Sequence, residues 1–213
     1  MRLFAAIVPP RSALEELARV VASVTPAGAE PKPAPRRGLL GRRSAAAVDE
    51  GPSDHGQLSA PTIEEMYLPI TGFGNVTLGD SHRLASALRT EASGWGRPRL
   101  RFSGGTALEW RGDESVWAKL DGDLDALSTI GRGVPQIVQR LGFFVDRRQF
   151  RPWLAVGEIT TDTTAPYLEA LVAALEGFEG QPWTVEGISL MKGLPVSEAP
   201  KGFDEMERMP LRS

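Results

Sequence analysis

Gln149-Phe150-Arg151-Pro152-Trp153-Leu154-Ala155-Val156-Gly157-Glu158-Ile159 is the stretch on which the fold turns. Pro152 pushes the residue before it away from helix, and the run that follows alternates as a strand does. Period two puts Arg151, Trp153 and Ala155 on one face, with Pro152, Leu154 and Val156 on the other. The other half of the chain echoes it in Met66-Tyr67-Leu68-Pro69-Ile70-Thr71-Gly72-Phe73-Gly74-Asn75-Val76, where Tyr67, Pro69 and Thr71 share a face. Two comparable strands, one per half, predict two related lobes around one cleft.

Leu3 to Val8 is apolar on both faces, as a central strand is, and Pro9-Pro10 ends it. Ser12 and Glu15 make a capping-box pattern ahead of a helical stripe at Leu14, Leu17, Ala18, Val21 and Val24. After the Met66 strand, Asp80 is expected to cap a helix carrying Leu84, Ala87, Leu88 and Trp95. Leu100–Phe102 and Ser115–Leu120 read as strands. Leu124 to Leu141 carries a helical stripe, with Gly131 and Gly133 expected to bend it and Pro135 to break it. Pro166 starts a further helix that Gly177 stops, Trp183–Met191 reads as the last strand, and the tail from Gly193 reads as a loop. The fold class this predicts is α+β, with two small sheets covered by helices on their outer faces.

Residues 26–62 differ from the rest: rich in Pro, Ala, Gly and Ser, without apolar periodicity, they are expected to form a disordered insertion in a single 1–213 domain. Arg36, Arg37, Arg42 and Arg43 lie there, as a solvated linker or as a contact for an acidic partner. With 213 residues, 41% apolar content and net charge −3, the chain can bury a core and is not a generally basic nucleic-acid binder. No cysteine means no thiolate nucleophile, disulfide or zinc–cysteine site, and no metal or cofactor motif is present. No run of the sequence is apolar for long enough to span a membrane, and nothing at the N-terminus reads as a signal peptide, so a cytoplasmic monomer is expected.

Pro69-Ile70-Thr71-Gly72-Phe73-Gly74 and Phe150-Arg151-Pro152-Trp153-Leu154-Ala155 resemble the two motifs of the two-histidine phosphoesterase superfamily, in its RNA 2′,3′-cyclic phosphodiesterase or 2′-5′ RNA ligase-like branch. That family carries His-x-Thr twice, the first followed by Leu-x-Phe-Leu-Gly and the second preceded by Phe-x-Pro. Met1-Arg2-Leu3-Phe4-Ala5-Ala6-Ile7 resembles its first strand and Ser189-Leu190-Met191-Lys192 its last core strand. The resemblance implies two pseudo-symmetric lobes with the motif strands facing one another across a central cleft. It also exposes a departure, since Pro69 and Trp153 stand at the histidine positions and Ala155 at one of the threonines.

Opening a cyclic phosphate needs a base to activate water and an acid for the leaving oxygen, and each is worth roughly a hundredfold to ten-thousandfold in rate. Of the two imidazoles and two hydroxyls, this sequence supplies Thr71 alone. Pro69 has no proton to give, an indole does not titrate usefully, and Ala155 has no polar atom. The two histidines present, His55 and His82, fall in the insertion and near a helix start. Tyr67, Thr71, Arg151 and Trp153 remain as groups that could stack a base and hold a phosphate, with Lys192 a weaker candidate near the cleft and Arg148, like Arg151, a surface charge by default. The resemblance thus implies a catalytically inactive homologue that binds RNA ends or nucleotides. Two alternatives stay open: a weak or altered phosphodiesterase, and an interaction scaffold whose cleft Trp153 fills.

Overall fold

Helices cover one side of each of the two sheets among the described residues, and the opposite sides, where Trp153 and Tyr67 lie half-buried, position the site. The structure is a computed structural model that describes residues 1–24, 58–110, 113–146, 149–194 and 202–213. Along the chain come β1 (Arg2–Ile7), α1 (Arg11–Ser23), β2 (Leu58–Ser59), β3 (Leu68–Asn75), α2 (Leu78–Ala92) and β4 (Arg99–Trp110). Then follow β5 (Asp113–Gly122), α3 (Leu124–Arg140), β6 (Trp153–Ile159), α4 (Ala165–Glu176), β7 (Trp183–Thr184), β8 (Gly187–Gly193) and β9 (Phe203–Pro210). The first sheet has the order β3-β1-β8-β9 and the second β2-β6-β5-β4-β7, with every pairing antiparallel. Helices α2 and α3 pack on the first sheet, α1 and α4 on the second, and the sheets touch along β3 and β6. This is the expected α+β architecture of two lobes.

Leu3, Ala5, Ile7, Ile188 and Leu190 of the first sheet and Val116, Ala118, Leu154 and Val156 of the second all join the buried core on the helix side. The insertion's expected span is only partly visible. Residues 26–57, with Arg36, Arg37, Arg42, Arg43 and His55, lie outside the described residues. Leu58 and Ser59 instead form β2 against Ile159 and Glu158, and Leu58 is buried. Leu58 and Ser59, within the expected insertion, are thus part of the second sheet.

Several local expectations are corrected. Helix α1 begins at Arg11 behind Pro10, whose φ of −62° already suits a helix start, so Ser12 lies inside the first turn and caps nothing. Helix α2 is capped by Thr77, whose Oγ1 accepts from the Asp80 backbone N–H at 3.2 Å and donates to the Asp80 carboxylate at 2.7 Å. Helix α3 runs unbroken through Pro135. Its buried stripe of Leu127, Ile130, Val134, Ile137 and Val138 outweighs the proline, because each such side chain contributes about 1.5–3 kcal/mol against a penalty of about 3. Gly131 and Gly133 are seats for rings: a Cβ would lie 2.2 Å from the Phe150 ring at the first and 2.5 Å from the Trp95 indole at the second.

The other two corrections lie at the C-terminal end. The Trp183–Met191 run divides between the sheets. Trp183 and Thr184 pair with β4, whereas Gly187 onward pairs with β9 in the first sheet. Gly187 permits that crossing, since a Cβ there would sit 2.7 Å from the Met209 carbonyl oxygen. The tail is not a loop either, because residues 203–210 form the edge strand β9 with Met209 buried.

Candidate functional site

β6 begins directly after Pro152, and its pattern is the expected one: Leu154 and Val156 are fully buried, while Trp153 and Ala155 are half-buried on the opposite face. Pairing places Lys119 beside Trp153 and Trp117 beside Ala155, so this uncovered face carries two indoles and an ammonium. Arg151 lies over Trp153, its guanidinium carbon 5.1 Å from the ring centroid, and its Nη1 is 3.2 Å from Asp113 Oδ2. The Lys119 ammonium pairs with Glu176 at 3.2 Å, which, together with the Gly105 N–H, holds that carboxyl below its usual range. The Trp117 indole N–H is buried and has no hydrogen-bond partner among the described residues.

β3 departs from simple alternation. Pro69 pairs with Ala6 but Thr71 pairs with Ala5, with a register shift between them. Ile70 is the extra residue, and it turns Thr71 toward the Ala5 side. Pro69 is consequently exposed, whereas Thr71 is 7% exposed and donates from Oγ1 to the Asp146 carbonyl at 3.5 Å. Tyr67, just ahead of β3, is separated from Thr71 by that shift and joins an aromatic group instead. Its ring centroid is 5.1 Å from Phe4 and 4.9 Å from Phe203, and Phe4 and Phe203 are 5.9 Å apart. Burial pushes the Tyr67 phenol above its ordinary pKa, partly offset by the Arg2 charge.

The expected site residues thus form two groups, Arg151 with Trp153 on the second sheet and Tyr67 on the first, while Thr71 is withdrawn from both. Lys192 pairs with Leu3 and Asp204 and so belongs to the Leu3 side of its sheet. Arg148 lies outside the described residues, and His82 is exposed on α2. Sequence reasoning missed Phe4 and Phe203, the second within a tail read as loop, and Trp117, whose alternation with Ala118 was its only signal. It missed as well a cluster in which Ser189 donates to Glu205 at 2.6 Å and Arg208 clasps the same carboxylate through Nε and Nη2 at 2.8 and 3.1 Å. Burial raises the Glu205 pKa, but Arg208 and the Ser189 hydroxyl outweigh it and hold the carboxyl below its usual range.

Two cavities of about 340 and 400 Å³ open elsewhere, one beside Pro10, Arg11 and Arg208, the other at Gly122–Ala126. Among the described residues no three histidine or acidic side chains converge as a metal site requires. No helix among them is long and apolar enough to cross a membrane.

No protein-family model matches the chain, and no curated protein matches it. Solved structures do. TT0787 of Thermus thermophilus superposes with a TM-score of 0.65 at 17% identity, over 100% of this chain and 99% of that one. A structure described as a phosphoesterase gives 0.68 at 14% identity, over 100% and 98% of the two chains. Escherichia coli LigT in complex with 3′-AMP gives 0.66 at 14% identity with the same coverage, and that protein has also been crystallised with NADP+ and with ATP. At these identities the likeness is one of fold, and the fold of this chain is that of the LigT-like phosphoesterases.

Proposed function

We propose that this chain is a non-catalytic member of the two-histidine phosphoesterase fold that binds RNA ends or nucleotides at the seam between its sheets. The observation that carries this reading is the Arg151–Trp153 stack on the uncovered face of β6, the strand that meets β3. An indole face takes a base of any identity, and a guanidinium beside it takes a phosphate. The nucleotides held by E. coli LigT support the ligand class. Absence of catalysis is supported by Pro69, Trp153 and Ala155, none of which exchanges a proton near neutral pH, and by the inward turn of Thr71. That turn also weighs against a residual phosphodiesterase working through the Thr71 hydroxyl.

One observation favours a second reading, the filled cleft of an interaction scaffold: the Trp117 N–H, on the same face, is buried away from water. Titrating labelled single-stranded RNA at low salt separates the two. Trp153→Ala is expected to weaken binding by about 1–3 kcal/mol if a base stacks there. Unchanged affinity in that variant, or no binding by the native chain, supports the filled cleft.

A further inference from the structure

We infer that the uncovered face of the first sheet holds a second nucleotide station, built from Arg2, Tyr67, Phe4 and Phe203, so that the ligand is a single strand of at least two nucleotides rather than a mononucleotide. This rests on the binding function proposed above and adds a place and a ligand length to it.

The register builds the station. β1 pairs regularly with β8, so Arg2 and Phe4 project to one side and Leu3 and Ala5 to the other, into the core. Phe203 pairs with Gly193, and extending the β1–β8 register by one residue sets Arg2 opposite Gly193 as well. Arg2, Gly193 and Phe203 therefore make one row across three strands. The glycine leaves that row open, since a Cβ there would meet the Arg2 stem only at 4.0 Å. Phe4, Tyr67 and Phe203 stand beside it, each half-buried, with centroids 4.9–5.9 Å apart. Three half-buried rings outside the hydrophobic core offer faces on which a further planar group can stack.

Charge indicates what that group carries. Arg151 and Lys119 on the other sheet are already paired, with Asp113 and Glu176. Arg2 is exposed and, among the described residues, has neither a hydrogen bond nor an ion pair. The Tyr67 hydroxyl has no hydrogen-bond partner among them either, and the Arg2 charge reaches it. A guanidinium and a phenol O–H, without partners among the described residues and beside an aromatic platform, suit a phosphate attached to a base. Each lobe then offers an arginine with aromatic rings, Arg151 with Trp153 on one and Arg2 with Tyr67 and Phe203 on the other. One such group on each of two sheets that touch along β3 and β6 suits a ligand with more than one base.

The test measures affinities of AMP, a dinucleotide and a short single-stranded RNA for the intact chain, with thermal melting as the check on folding. Arg2→Gln is expected to fold normally and to weaken AMP less than it weakens RNA. It should weaken the RNA about tenfold, the value of one charge-assisted contact, and lower the salt slope by about 0.7 for one lost phosphate contact. Tyr67→Phe, which keeps the ring, should weaken RNA less than Tyr67→Leu does. Equal affinity for AMP and RNA, with no effect of Arg2→Gln on either while Trp153→Ala weakens both, would overturn the second station and leave the first standing. An acidic peptide that competes with RNA and is equally sensitive to Arg2→Gln would overturn it too, showing an anion surface without base recognition. Failure of every nucleic acid to bind would instead remove the underlying function.

Discussion

Gly131 shows how much one hydrogen atom decides in this chain. The Phe150 ring lies where its side chain would be, with 2.2 Å to the nearest ring atom, so Gly131→Ala must displace the ring or the helix. Helix propensity favours alanine by about 1 kcal/mol, but overpacking costs about 1–3, and the expected net result in chemical denaturation is a loss of stability. A gain would mean that Phe150 moves aside freely. Glu205 carries the pH dependence at this scale. Its carboxyl is depressed by Arg208 and Ser189 despite its burial, so it stabilises the fold above the ordinary glutamate value of 4.5 and ceases to as pH falls through its lower folded value. The stability gap between the native chain and Glu205→Gln is accordingly expected to be widest near neutrality and to close in acid, and a gap independent of pH would contradict it. At this scale the sequence was readable where alternation holds. Trp153 and Ala155 lie where period two puts them, whereas Thr71 does not, because one extra residue in β3 reverses its face and no local signal announces a register shift.

Among the elements, α3 makes the clearest case for packing over propensity. Pro135 has no N–H for the Gly131 carbonyl and crowds it, yet the helix continues because its apolar stripe is buried along its whole length. Replacing Pro135 by alanine restores the donor and is expected to raise stability by up to about 3 kcal/mol, measured as a higher denaturation midpoint with unchanged slope. A loss would show that the half-buried ring is itself part of the packing. The strands β7, β8 and β9 were the hardest to read. Trp183 to Met191 is one apolar run in sequence, and only the backbone crossing at Gly187 assigns its two ends to different sheets. β9 is an edge strand whose Asp204-Glu205-Met206-Glu207-Arg208 looks like solvated tail, and those charges are what an exposed edge carries to discourage pairing with another chain.

The whole molecule passes its chain repeatedly between the two sheets. β1 and β3 lie in one and β2 in the other, and β4 to β7 return to the second before β8 and β9 close the first. Periodicity gave most of these elements but not their assembly. Two comparable strands predicted two lobes, the resemblance of the motifs they carry implied that these face one another, and the match to LigT over the full chain agrees with a two-lobed fold. The central claim is that this assembly keeps a nucleotide site and has no catalysis at it. Phosphorus NMR of a 2′,3′-cyclic nucleotide, followed while the chain is added at low salt, reads both at once. The account predicts that the cyclic phosphate resonance shifts or broadens in proportion to added protein, and that no monophosphate resonance grows above a protein-free control. A monophosphate signal growing at a rate proportional to protein concentration would contradict it, and so would a cyclic resonance that protein leaves unmoved.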